Sequence, residues 1–260
     1  MEITKRYSER MKNMLIQERQ QKILEAIKIF DKICRENNIW YTLTSGSILG
    51  AVRHKGFIPW DYDMDVFVKI TDIEKLRTSL LRGIPDTMKL YIWDMEPKYP
   101  LCYDRLSFRD IPHDLLHIDI HPLIGAPDTK NAQIKFTKIC YYTFKFLRTK
   151  YVNTNYSKPS NIKKIKALKL ITRIIPDIFI RKWYHYLQNK YSFEKAHYVY
   201  TIASAYGMRE CMPKKMVLDT RYVDFEDTKL PIPVKYDEYL TRVYGNYMIP
   251  KKDGYKGYKL

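Results

Sequence analysis

The chain has 260 residues, with 46 Lys and Arg against 29 Asp and Glu, a formal charge of +17. Its 45% hydrophobic and 14% aromatic content is enough apolar surface to build a core, which excludes a disordered polycation. No uncharged apolar run reaches the ~18 residues of a spanning helix, the polar start MEITKRYSERMK reads as no secretory signal, and four scattered cysteines without a CxxC pair fit a reducing, cytoplasmic setting.

In chain order, Ile16, Ile23, Ile27, Phe30 and Cys34 recur at helical steps, predicting a helix over 9–36 that ends at Asn37-Asn38. Ile39–Thr44 is β-branched and aromatic, a short strand. Ser45-Gly46-Ser47 is a turn that opens a helix over Ile48–Arg53. Val66–Ile70 reads as a strand, followed by a helix over Asp72–Arg82 with Thr71 as its N-cap. Lys89–Trp93, Leu101–Phe108 and Leu116–Pro122 are further strands. This alternation predicts an α/β (α+β) sheet domain over about the first 125 residues. The character then turns helical and basic, and the last 40 residues read as loop-rich apart from a helix at Tyr236–Tyr244, closed by Gly245-Asn246.

The charge is uneven. Residues 131–193 hold 14 Lys or Arg and one acid, Asp177, so the rest of the chain is nearly neutral. From Ile162 onward Ile165, Leu168, Ile171 and Ile175 fall at helical steps among Lys163, Lys164, Lys166 and Lys169. Such a basic amphipathic helix suits an anionic membrane surface, or packs its apolar side on the rest of the protein.

The informative segment is LTSGSILGAVRHKGFIPWDYDMDVFV at Leu43–Val68. Asp61, Asp63 and Asp65 stand two apart, so in an extended chain they project to one side and repel. A divalent cation removes that cost, and carboxylates together with substrate phosphates are how Mg²⁺ is usually held; the bland alternative is a solvated acidic loop. Upstream, Gly46 and Ser47 at a helix start offer amides to phosphate, and Arg53, His54 and Lys55 add cations. In HIDIHPL, burial of Ile118 and Ile120 would turn His117, Asp119 and His121 to the opposite face. Asp119 is taken as metal ligand or proton acceptor, and the two histidines as structural residues.

These motifs resemble the LicD family of phosphotransferases, related to the fukutin-related proteins, within the nucleotidyltransferase-fold superfamily. The family pattern runs Gly-Thr-Leu-Leu-Gly-Ala-Val-Arg-His-Lys-Gly-Phe-Ile-Pro-Trp and then an Asp triplet. Here Ser47 replaces the Thr, Tyr62 the middle Asp and His121 a later Phe. LPIPVKYDEYLTRVYGNYMIPKK resembles the family's C-terminal signature. The resemblance covers about 40–125 and 205–252 well and 131–200 hardly at all.

The resemblance implies a nucleotidyltransferase-like mixed sheet with flanking helices and a basic helical insertion. The catalytic core would occupy 1–130, the insertion 131–200 and a C-terminal segment packed on the core 201–260. It implies transfer of a phospho-alcohol (phosphocholine first, or ribitol or glycerol phosphate) from a CDP-linked donor to a sugar hydroxyl of lipopolysaccharide, teichoic acid or capsule, with release of CMP. Mg²⁺ or Mn²⁺ would sit on Asp63, Asp65 and Asp119, and phosphate on Gly46, Ser47, Arg53, His54 and Lys55. Trp60, Tyr62 and Trp93 are aromatic candidates for choline's quaternary ammonium. A glycan or glycolipid acceptor places the enzyme in the cytoplasm, against the inner face of the plasma membrane. The rival readings are a nucleotidyltransferase acting on a small molecule or an RNA end, and a non-enzymatic basic module for RNA or membrane; nucleic acid is the less favoured partner.

Overall fold

The computed structural model describes residues 15–151, 169–170 and 172–250. Helix α1, Ile16–Glu36, buries Ile23, Ile27, Phe30 and Cys34 of the stripe read from the sequence, while Ile16, in the first turn, stays exposed. Strand β1 is Tyr41–Leu43 and helix α2 is Ser45–His54. Strand β2, Met64–Lys69, passes through a short 3-10 turn, Ile70–Asp72, into helix α3, Ile73–Gly83. That turn displaces the expected cap: Thr71 lies inside it, and Asp72 precedes the helix without a side-chain capping bond. Strands β3 (Met88–Tyr91), β4 (Asp104–Phe108) and β5 (His117–Ala126) follow, the last longer than the sequence suggests.

Helix α4, Lys130–Tyr151, and helix α5, Asp177–Asn189, carry the basic segment, with Pro176 immediately before α5. Lys150 joins them by contacting Asp177 at 2.5 Å and the Ile175 carbonyl at 2.6 Å. Beyond them, β6 (Tyr198–Tyr200), β7 (Met212–Pro213), β8 (Thr220–Phe225) and β9 (Thr228–Pro233) precede helix α6, Tyr236–Tyr244. The four strands occupy a region read as helix-linked or loop-rich. They escape a pattern search because β6 and β7 are very short, while the exposed positions of β8 are not strictly alternating.

The main sheet runs β1-β2-β5-β4-β3, and β6, with β7 at its side, pairs the far end of β5. β2 and β5 are parallel and the other ladders antiparallel, which makes the α+β mixed sheet expected, with six α-helices among the described residues. Two apolar cores flank it. One gathers α1, α2, α3 and the sheet's Val66, Val68, Ile118 and Ile120 with α6 and the β8–β9 hairpin. The other joins Phe136, Cys140 and Leu147 of α4 and Tyr184 and Leu187 of α5 to Trp93, Ile124 and Tyr200. The basic helices therefore bury one apolar row each against the sheet domain. Lys163, Lys164 and Lys166 lie outside the described residues, and Lys169 is half-buried.

Candidate active site

The parallel register of β2 on β5 sets Asp65 directly opposite Asp119 and Phe67 opposite His121. Ile118 and Ile120 are fully buried in the core. Alternation therefore turns Asp119 and His121 the other way, into a cleft of about 1280 Å³. Asp61, Asp63, Asp65, Asp119 and His121 all line it, with Gly46 and Arg53 of α2 on one wall and Tyr141, Tyr142 and Arg148 of α4 on another.

Asp65 is held from three sides. Its backbone N–H donates to Ser47 Oγ at 2.9 Å, its carbonyl accepts from Thr44 N–H at 3.0 Å, and its carboxylate Oδ1 meets His121 Nε2 at 3.1 Å. Asp119 accepts from Arg105 Nε at 2.5 Å and Nη2 at 2.9 Å, and from the Tyr103 hydroxyl at 3.1 Å. Burial opposes the ionisation of Asp119, but His117 and Arg105 outweigh it and keep the carboxyl below its usual range. Burial and the neighbouring Asp63 push Asp61 up to about 8.

Ligand atoms of Asp65, Asp119 and His121 lie within 4.8 Å of one another. Two carboxylates and an imidazole suit a divalent cation. This trio differs from the expected one. His121, read as structural, stands in it, whereas Asp63, read as a ligand, is 41% exposed and lies 3.7 Å from His117 Nε2. Asp63 immediately precedes β2, so it escapes the ladder that aligns Asp65 with Asp119.

The expected phosphate binders also divide. Gly46 lines the cleft, and a Cβ there would stand 3.2 Å from Asp61 Oδ2, so glycine lets the helix start approach the carboxylates. Arg53 lines it too, anchored through Nη1 to the Tyr247 carbonyl at 2.8 Å. Ser47 is a positioning residue: it is buried, away from the lining, and its hydroxyl accepts the Asp65 amide. His54 and Lys55 are exposed and outside the cleft, because α2 ends there and Lys55, at φ +55°, turns the chain away. Of the aromatic candidates, Trp60 is on the lining. Tyr62 instead lies under the Arg19 guanidinium at 4.8 Å, and Trp93 is buried beside Tyr184.

The sequence reading missed Arg105, Tyr103, Glu210 and the α4 tyrosines. Arg105 is found only through its ladder pairing with Asp119, and Glu210 only through contacts across the chain. The Tyr239 hydroxyl accepts from Ser45 N–H at 3.2 Å, pairs with the Thr44 hydroxyl at 2.8 Å and donates to Glu210 at 3.2 Å. The C-terminal segment thus braces the turn that opens α2.

A mixed sheet that aligns carboxylates on neighbouring parallel strands, fronted by a glycine-bearing helix start and an arginine, brings together the kinds of group that metal-assisted group transfer uses. Residues 38–161 match the family described as LicD/FKTN/FKRP, nucleotidyltransferase domain. It is similar to the lipopolysaccharide cholinephosphotransferase LicD of Haemophilus influenzae, at 25% identity over 95% of this chain and 96% of that protein. It is also similar to the human ribitol 5-phosphate transferase FKRP, at 33% identity over 85 residues, 32% of this chain and 16% of the relative. Both relatives are named as transferases.

Proposed function

We propose that the protein transfers a phospho-alcohol, phosphocholine in the first instance and ribitol or glycerol phosphate otherwise, from a CDP-linked donor to a sugar hydroxyl of a surface glycan such as lipopolysaccharide, teichoic acid or capsule. The observation that carries this reading is the meeting of Asp65, Asp119 and His121 with Gly46 and Arg53 in one cleft. Similarity to a cholinephosphotransferase along 95% of the chain supports the choice of alcohol.

Gly46 and Arg53 would hold phosphate oxygens of the donor. Mg²⁺ or Mn²⁺ on Asp65 and Asp119, beside His121, would supply charge neutralisation for the diphosphate. The acceptor oxygen attacks the phosphorus distal to cytidine, the bridging P–O bond breaks and CMP leaves with the bonding pair. The acceptor's proton passes to water at the cleft mouth. Both oxygens of Asp119 are already engaged by Arg105 and Tyr103, so its part is to bind and orient rather than to accept that proton. Among the described residues no helix is long and apolar enough to cross a membrane; we place the enzyme in the cytoplasm, working peripherally at the inner membrane face where lipid-linked glycans are built.

The test is CMP release from CDP-choline, CDP-ribitol and CDP-glycerol with a glycan acceptor, with and without chelator. Asp65→Asn and Asp119→Asn should each abolish turnover. Full activity in either variant, or no CMP from any of the three donors, overturns the proposal.

A further inference from the structure

The outer side of the α4–α5 pair meets the cleft at Tyr142 and otherwise faces away from it. On α5, Ile178, Phe179, Trp183 and Tyr186 are 54, 62, 45 and 50% exposed. Their spacing of one, four and three residues sets them along one face of the helix, while Ile180, Tyr184 and Leu187 fill the core behind them. On α4, Ile139 and Tyr142 are 40 and 60% exposed. The two rows adjoin, since Trp183 Nε1 donates to Thr143 Oγ1 at 3.1 Å and Trp183 stacks on Tyr186 at 5.3 Å. Contiguous exposed apolar residues of this size mark an interaction surface.

The charge around the patch selects the partner. Lys135, Lys138 and Lys182 are exposed on the same two helices and Lys190 at the end of α5, and among the described residues none of them is ion-paired to a carboxylate. The only acid between residues 131 and 193 is Asp177, which is already held by Lys150. Aliphatic and aromatic side chains flanked by uncompensated lysines, with indole and phenol rings at the boundary, match the layered chemistry of a lipid headgroup region: hydrocarbon below, anionic phosphate above.

We propose that the outer face of α4 and α5 is a docking surface for an anionic lipid bilayer, with Ile178, Phe179 and Trp183 entering the headgroup layer and the four lysines meeting lipid phosphates. Tyr142 belongs both to this face and to the cleft lining, so docking brings the cleft mouth to the membrane. The docking stands on the surface itself; its use, delivery of a lipid-linked acceptor, rests on the function proposed above.

The experiment is flotation of the full chain with vesicles of phosphatidylcholine alone and of equal parts phosphatidylcholine and phosphatidylglycerol, at low and high salt. The expected result is flotation with the anionic vesicles only, weakened roughly five-fold for each lysine among Lys135, Lys138, Lys182 and Lys190 changed to Gln. It should be lost in the double variant Phe179→Ser and Trp183→Ser, which removes no core side chain; circular dichroism checks the fold. CMP release on a water-soluble acceptor should be unchanged in that variant, so failure of docking and failure of the transfer reaction are read separately. Absent flotation, or flotation indifferent to the double variant, overturns the proposal. Dimerisation that the double variant abolishes overturns it in favour of a second copy of this chain. Binding to RNA that tracks the lysines alone overturns it in favour of nucleic acid.

Discussion

Arg105 grips both oxygens of Asp119, with Nε 2.5 Å from Oδ1 and Nη2 2.9 Å from Oδ2, and the two side chains are only 8 and 9% exposed. The pair arises from one rung of the β4–β5 ladder, where Arg105 stands opposite Asp119. Breaking such a pair leaves a buried charge without its partner. Arg105→Ala should therefore cost about 3–5 kcal/mol of stability, measured by denaturant unfolding. Arg105→Lys should recover only part of it, because an ammonium cannot reproduce the bidentate fork. An unchanged midpoint in Arg105→Ala would show that the pair does not hold the site together.

Ser47 tests the difference between binding and positioning. Its hydroxyl accepts the amide that begins the Asp65 rung. Ser47→Ala should destabilise by about 1–3 kcal/mol, the cost of a buried unpaired donor, and should lower turnover by misplacing Asp65. Ser47→Thr keeps the hydroxyl and should retain both properties. If Ser47→Ala instead raises donor KM with no loss of stability, the hydroxyl binds substrate directly.

Tyr239 reaches the start of α2 from the far end of the chain. Tyr239→Phe keeps the ring in the core but takes the acceptor from Ser45 N–H and a partner from Glu210. The expected loss is about 1–3 kcal/mol, with a rise in donor KM because the Gly46 turn is no longer braced. Thermal unfolding and initial-rate kinetics read the two effects.

Glu210 supplies a pH signature. Burial raises its proton affinity, and hydrogen bonds from Ser204 and Tyr239 offset this only in part. The folded state therefore holds the Glu210 proton to higher pH than the unfolded chain, in which Glu titrates near 4.5. Its contribution to stability is fully present below that value and is lost as pH rises through the elevated folded value. Glu210→Gln should match the wild type in acid and gain on it as pH rises, seen as diverging melting temperatures. Parallel profiles would exclude this assignment.

Glycines in the helix–turn motif differ in kind. A Cβ on Gly50 would stand 2.5 Å from the Gly56 carbonyl oxygen, backbone that cannot step aside, whereas one on Gly46 meets only the Asp61 carboxylate at 3.2 Å. Gly50→Ala should cost at least about 1–3 kcal/mol through overpacking. Gly46→Ala should leave a folded protein with impaired turnover. Circular dichroism melts and CMP release separate the two outcomes.

What could be read in advance follows the range of the forces involved. Helices α1 and α6 and strands β1 and β2 carry local periodicity and terminators, and the structure places them close to the expected spans. Asp65 and Asp119 were visible because carboxylates flanked by core residues are conspicuous on strands. Their spatial grouping with other residues was not. His121 looks like any strand histidine until the parallel register sets it beside Asp65, and Asp63 belongs to the acidic run in sequence but stands outside the ladder in space. His54 and Lys55 follow Arg53 directly, yet the end of α2 separates them from the cleft. Arg105 and Glu210 carry no local signature; only tertiary pairing shows their use.

The bond from Ser45 N–H to Tyr239 spans 194 residues, and it orders events during synthesis. A chain leaving the ribosome exposes its acidic strand early, while the phenol that steadies the opposing helix start emerges near the end. Throughout that interval the helix start lacks its hydrogen bond to Tyr239. The brace forms only once the final helix docks, and an arrested nascent chain ending before Tyr236 would present the acidic face with its helix start unbraced.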